Sequence, residues 1–220
     1  MIVTAFSELS IDGRMTVTAG GSSKAMFEHY GPELGRWFHA QRAAHDAIMV
    51  GAGTVRADDP ELTVRHVAGR DPVRVVPTRD GAIPAQSTIL TDGRPTWFGV
   101  PDDLPAEARR GLLAHPGIEL LDCGPGGVDL HRLLARLEER GIGSLMVEGG
   151  SRLLAGLFAA GLINRIVIKH IPIITGATDA ATYLARDGAA PPVPFSRWRV
   201  AEWVMIGGVG VSIYERGETA

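Results

Sequence analysis

The chain is poor in several things, and each shortage closes off a class of function. It has one cysteine, Cys123. A lone thiol forbids an internal disulfide and cannot build a zinc site by itself, so a reducing cytoplasm is the expected compartment. With no histidine close by in sequence, Cys123 reads as an inert thiol. There are two lysines, Lys24 and Lys169, against twenty arginines, a bias that converts into no particular activity. No apolar run reaches the ~18–20 residues a membrane span requires, and Glu8 interrupts the N-terminal segment before a signal h-region can form, so neither membrane nor secretion is expected. The seven histidines carry no HExxH or paired ligand spacing, so no metal site is expected. A net charge of −3 gives no general attraction to nucleic acid or anionic lipid, so anion binding must come from local arginines.

What is present is an ordinary globular composition, 45 % hydrophobic and 21 % charged over 220 residues, enough for one domain spanning 1–220. Short β-rich runs alternate with helical patterns, which indicates an α/β fold. Strands are expected at 2–6, 47–50, 73–76, 96–100, 118–122 and around 144–147, with another over 166–174. Helices are expected at 34–44, 101–113, 130–140 and 151–160; Gly141 and Gly161 stand where helices end. Residues 198–215 hold two strand candidates around Gly207-Gly208, a C-terminal hairpin. The proline-rich stretch 176–197 reads as a surface connection and 216–220 as frayed.

Two strand ends carry glycine turns. Ala47 to Val50 runs into Gly51-Ala52-Gly53-Thr54, and Leu145 to Val147 runs into Glu148-Gly149-Gly150-Ser151-Arg152. A helix that starts just after such a turn offers unpaired N–H groups to a phosphate; the same turns also serve as tight connections. Two of them at the carboxyl ends of neighbouring strands favour a dinucleotide crevice. Asp58, in Asp58-Asp59-Pro60, suits either a ribose hydroxyl or a turn cap. Glu148, at a buried strand end, suits either a ligand or a salt bridge. Arg14, Arg42 and Arg65 are candidates for an anionic ligand.

In order and spacing, Ser10-Ile11-Asp12-Gly13-Arg14, the stretch from Arg42 through Asp46 to Val55 and on to Asp58-Asp59-Pro60, Leu62 to Arg65, Asp71 to Val76, and Val147 to Gly150 resemble the pyrimidine reductases of riboflavin biosynthesis. The resemblance spans about residues 2–215, and the deaminase to which bacteria often fuse this domain has no counterpart here. It implies a dihydrofolate-reductase-like fold, a mostly parallel mixed sheet flanked by helices, in a homodimer that uses NADPH. The implied substrate is a ribosylaminopyrimidine 5′-phosphate, reduced by hydride transfer to C1′ of its ring-opened imine. Position by position it implies cofactor contacts at Thr54, Asp58 and Gly149, Gly150, Ser151, Arg152 and Leu153. Substrate contacts fall at Ser22, Arg42, Leu62, Arg65 and Glu148, with Glu148 and Arg14 beside the reacting ligand. No nucleic acid, membrane or metal enters.

The sequence also departs from that family. Pro77-Thr78-Arg79 follows the 73–76 strand where Asp-Ser is usual, and Arg79 is a candidate for the 2′-phosphate of NADPH. Ile173 follows Pro172 in place of a common Lys, Asn164-Arg165 replaces Asp-Glu, and Phe6 and Glu8 stand where small or amide residues are expected. The departures keep two alternatives open: a dihydrofolate-reductase-like activity on a pterin or other small imine or carbonyl, and a non-catalytic nucleotide-binding dimer. If Glu148 is a ligand group and not a salt-bridge partner, Glu148→Ala is expected to cost turnover far more than stability.

Overall fold

The computed structural model describes residues 1–185 and 191–217. Nine strands form one sheet: β1 (Ile2–Ser10), β2 (Ala47–Met49), β3 (Val73–Pro77), β4 (Thr96–Val100), β5 (Ile118–Asp122), β6 (Ser144–Val147), β7 (Arg165–Ile171), β8 (Trp198–Ile206) and β9 (Val209–Arg216). Their order is β5-β4-β3-β2-β6-β1-β7-β9-β8. The strands from β5 across to β7 run parallel, and the β8–β9 hairpin closes the far edge antiparallel. The helices are α1 (Lys24–Phe27), α2 (Pro32–Ala43), α3 (Ala52–Asp58), α4 (Thr88–Thr91), α5 (Ala106–Leu113), α6 (Leu130–Glu139) and α7 (Ser151–Ala159).

Parallel strands buried on both faces need apolar residues of both parities, and this sheet has them. Ile48 joins one core, with Leu34 and Phe38 of α2, Val55 of α3 and Leu112 of α5; its neighbours Ala47 and Met49 join the other, with Leu133 and Leu137 of α6 and Leu154 and Leu157 of α7. Asp46 fixes the sheet's centre, accepting hydrogen bonds from the backbone N–H of Gly143 and Ser144 at 3.0 and 2.9 Å and from Ser144 Oγ at 2.9 Å. The amino ends of β2 and β6 are thereby clamped, and their carboxyl ends open side by side. Asp129 caps α6, accepting from the N–H groups of His131 and Arg132.

Several boundaries differ from the sequence expectation, each for a local reason. β1 continues four residues beyond Phe6, because Glu8 and Ser10 still pair with Lys169 and Ile171 of β7. β7 stops at Ile171, since Pro172 has no N–H for the ladder. The helix expected from Pro101 begins only at Ala106: Pro105 disfavours helical backbone at Leu104 and takes the N-cap itself. Arg216, expected to fray, ends β9 with its N–H donated to Asn164 at 3.2 Å. The single-turn helices α1 and α4 leave no periodicity to read. Residues 186–190 of the connection 176–197, and 218–220 of the tail, lie outside the described residues.

Candidate active site

The two glycine turns meet. Gly51 donates its N–H to the Gly149 carbonyl at 3.4 Å, and Glu148 donates its own to Met49 at 3.0 Å. Gly149 and Gly150 have φ of +101° and +69°, the left-handed region where a side chain is strained. A Cβ on Gly150 would lie 3.1 Å from Thr54 Oγ1, and one on Gly51 would lie 3.7 Å from Leu153 Cβ. Thr54, Gly150 and Leu153 therefore face one another across the crevice where α3 and α7 begin. Gly150 caps α7 without a side chain, so no capping side chain competes with an anion for the amino end of that helix. Asp58 closes the far end of α3. Its Oδ2 accepts from Ser23 Oγ at 3.1 Å, while its buried Oδ1 has no partner among the described residues. An orphaned buried carboxylate oxygen fits a ligand hydroxyl or amide N–H.

A second cluster lies under α2 on the same side of the sheet. Arg42 is buried there and meets Glu148 as a two-point pair, Nε to Oε1 at 2.6 Å and Nη2 to Oε2 at 2.7 Å, while Nη1 donates to the Thr63 carbonyl at 2.9 Å. Burial works against the guanidinium charge, but Glu148 more than compensates and raises the Arg42 pKa. Beside it the buried Lys169 ammonium lies 2.8 Å from Glu8 Oε2, at an angle that makes it a close charge pair without a formed hydrogen bond. The same ammonium sits 3.6 Å over the Phe38 ring. Tyr30 donates to Glu8 at 3.3 Å, and burial with the nearby carboxylates pushes its hydroxyl pKa well up, so it stays a neutral donor.

Outside this cluster a cleft of about 540 Å³ opens between α2 and the 62–66 loop, lined by Tyr30, Phe38, His39, Arg42, Arg65 and His66 among others. Arg65 lies at its mouth, donating to Glu61 and to Thr63 Oγ1, both at 3.0 Å. His39 Nδ1 accepts the Arg65 N–H at 3.1 Å. Burial and the neighbouring Arg42, Arg65 and His66 hold His39 at about 4, so the ring is neutral near pH 7.

The sequence candidates thus divide. Thr54, Gly150 and Leu153 meet at the crevice with Gly149, Ser151 and Arg152 at the turn that opens α7, Asp58 lies at the other end of α3, and Arg42 and Glu148 are joined as a pair. At four positions the structure shows contacts within the protein that the resemblance does not name. Leu62 has its side chain in the core, 2 % exposed at a φ of +57°, so any ligand contact from it comes through backbone. The hydroxyl of Ser22 caps its own turn by accepting from Lys24 N–H, and its neighbour Ser23 is the one that reaches Asp58. Arg14 sends Nη1 to the Ala180 carbonyl at 3.3 Å, and no contact joins it to Glu148 or Arg42 among the described residues. Arg42, a candidate for an anionic ligand, lines the cleft and pairs there with Glu148. Arg79 is exposed at the carboxyl end of β3, on a loop that Arg56 ties to α3 through the Ala82 carbonyl. Sequence reasoning missed Ser23, Tyr30 and the Glu8–Lys169 pair; the only signal was two buried-strand charges, Glu8 and Lys169, without an evident purpose. Cys123 is buried, and burial raises its thiol to about 11, which keeps it protonated. Among the described residues no three His, Cys, Asp or Glu side chains gather as a metal site, and no helix is long and apolar enough to cross a membrane.

A mostly parallel sheet with an antiparallel C-terminal hairpin and its ligand loops at the carboxyl edge is the dihydrofolate-reductase-like α/β class. A dihydrofolate reductase from Enterococcus faecalis covers 99 % of the chain at a TM-score of 0.50 and 10 % identity, a likeness of fold alone. Within that class, the chain belongs to the RibD C-terminal domain family, which matches residues 1–209. Two curated relatives are named 2,5-diamino-6-ribosylamino-4(3H)-pyrimidinone 5′-phosphate reductase. That of Aquifex aeolicus is 36 % identical over 83 % of this chain and 81 % of its own, and that of Methanothermobacter thermautotrophicus 40 % identical over 82 % of each. The solved RibD of Acinetobacter baumannii has the same fold at a TM-score of 0.76 and 22 % identity; the match covers 99 % of this chain and 58 % of that longer one.

Proposed function

We propose that residues 1–220 form one reductase domain that converts a ribosylaminopyrimidine 5′-phosphate to its ribityl form at the expense of NADPH. The observation that carries this reading is the Arg42–Glu148 pair, which ties the strand end before the Gly149-Gly150 turn to the arginine-lined cleft, in a chain whose curated relatives bear that reductase name. NADPH, when bound, supplies a hydride to C1′ of the ring-opened imine. The rest falls to the protein. The amino end of α7 and the orphaned Asp58 oxygen hold the cofactor, and Arg79 is the candidate for its 2′-phosphate. Arg65 attracts the substrate phosphate, and the Arg42–Glu148 pair and the neutral Tyr30 present fixed polar groups to the reacting end. Catalysis of this kind is alignment of two ligands in a preorganised polar site. The test is NADPH oxidation with the phosphorylated substrate, with NADH as comparison. No turnover by folded protein that binds NADPH would sink the substrate assignment, and dihydrofolate reduction that survives Arg65→Ala would favour a pterin reductase.

The active form in this reading is a cytoplasmic homodimer. The edge strand β8 leaves Val200, Trp203 and Met205 between 55 % and 63 % exposed, and edge strands that display large apolar side chains are ordinarily covered. Trp203→Asp is expected to halve the mass in sedimentation; a wild-type protein that already sediments as a monomer would refute the dimer.

A further inference from the structure

The phosphate of the proposed substrate needs more positive charge than Arg65 alone can give. Arg42 does not supply it, since its Nε and Nη2 are spent on Glu148 and its Nη1 donates to the Thr63 carbonyl. The wall of the cleft offers another source. Pro32, Gly35, Arg36 and His39 recur at i, i+3, i+4 and i+7 along α2, so they share one face of the helix, and all four line the cleft. Arg36 is exposed there and makes no hydrogen bond or ion pair among the described residues. Gly35 beside it is unforced by packing: a Cβ at that position would meet nothing within 4 Å, so the glycine leaves a hollow next to the guanidinium. Across the cleft stand Arg65 and His66, the His66 ring edge-on to His39 at 4.5 Å between centroids. No aspartate or glutamate is among the residues that line the cleft. Burial first, and Arg42 and Arg65 after it, lower the pKa of His39 against the opposing Glu148, in keeping with a cleft lined by arginines.

We propose that Arg36 and His66 complete an anion cradle with Arg65 at the mouth of this cleft, and that it binds the substrate's phosphate while Arg42 stays with Glu148. The inference rests on the reading of the substrate as a phosphate ester. Three groups on two facing elements suit a tetrahedral dianion better than a single arginine, because each reaches a different oxygen.

The experiment compares kcat/KM for the phosphorylated substrate and for the same compound with its phosphate removed, in wild type and in Arg36→Gln. The ratio between the two substrates should fall roughly tenfold in the variant, the scale of one charge-assisted hydrogen bond. His66→Gln should lower it in the same direction. A ratio equal to that of the wild type overturns the cradle. If the wild type turns over neither compound, calorimetry with ribose 5-phosphate decides separately: weaker binding by Arg36→Gln upholds the cradle even where the reductase reading has failed, and equal binding overturns it.

Discussion

Glu148→Ala is expected to destabilise the protein by about 3–5 kcal/mol, the cost of stripping one partner from a buried ion pair, and to abolish turnover as well. The side chains of Arg42 and Glu148 are only 7 % and 9 % exposed, so water cannot take over the missing carboxylate. The guanidinium would be left with the Thr63 carbonyl as its one hydrogen-bond acceptor and Phe38 beneath it, centred 5.0 Å away. For a chain of this size the loss corresponds to a Tm lower by about 10 °C or more. A single variant cannot separate the fold from the chemistry, but the pair can. Arg42→Met with Glu148→Leu removes both charges at similar volume, and such replacements are often neutral or stabilising. The double variant should therefore recover most of the Tm and none of the turnover. Unfolding curves and NADPH oxidation measured on the same preparations check both halves. An unchanged Tm for Glu148→Ala would mean that the pair is not closed in solution, and recovered turnover in the double variant would remove both residues from the chemistry.

That expectation follows the salt-bridge reading of Glu148 and not the ligand reading, in which turnover suffers far more than stability, and sequence alone leaves the two readings open. Glu148 stands out in a linear reading because a charge directly follows three buried apolar residues. Its partner does not, since Arg42 is 106 positions away and reaches it only because β6 lies beside β2 while α2 crosses above. The glycine turns were legible for a local reason: positive φ at Gly149 and Gly150 is a property of the backbone at those positions. The strands and long helices were legible through their apolar periodicity, and the Gly141 stop and the Gly207-Gly208 hairpin through turn chemistry. The direction of a side chain is another matter. Leu62 and Ser22 sit at family positions yet turn into the core and into a local cap, because packing and the nearest unpaired N–H decide rotamers.

Lys169→Met is the second large effect to expect, a loss of about 3–5 kcal/mol for the same physical reason at a second buried pair. Lys169 is fully buried, and Glu8 beside it is 12 % exposed along its side chain. By contrast Arg199–Glu215, on the outer hairpin, is 65 % and 43 % exposed, and a pair of that kind is worth only about 0–1 kcal/mol. The strand register makes the Glu8–Lys169 pairing obligatory: Glu8 faces Lys169 across the β1–β7 ladder, so the removal of either leaves the other charge in the core beside Phe38 and Tyr30. Glu8→Leu alone should be as damaging as Lys169→Met, and the two together should restore stability, a non-additivity of several kcal/mol that a double-mutant cycle reads directly. Turnover adds a second readout. Tyr30 loses its Glu8 acceptor in the double variant, so a stable protein with diminished kcat would show that the pair also orients the Tyr30 hydroxyl toward the cleft, whereas full activity would make it a device of the fold alone. Additive single losses, with no recovery in the double variant, would refute the buried pairing itself.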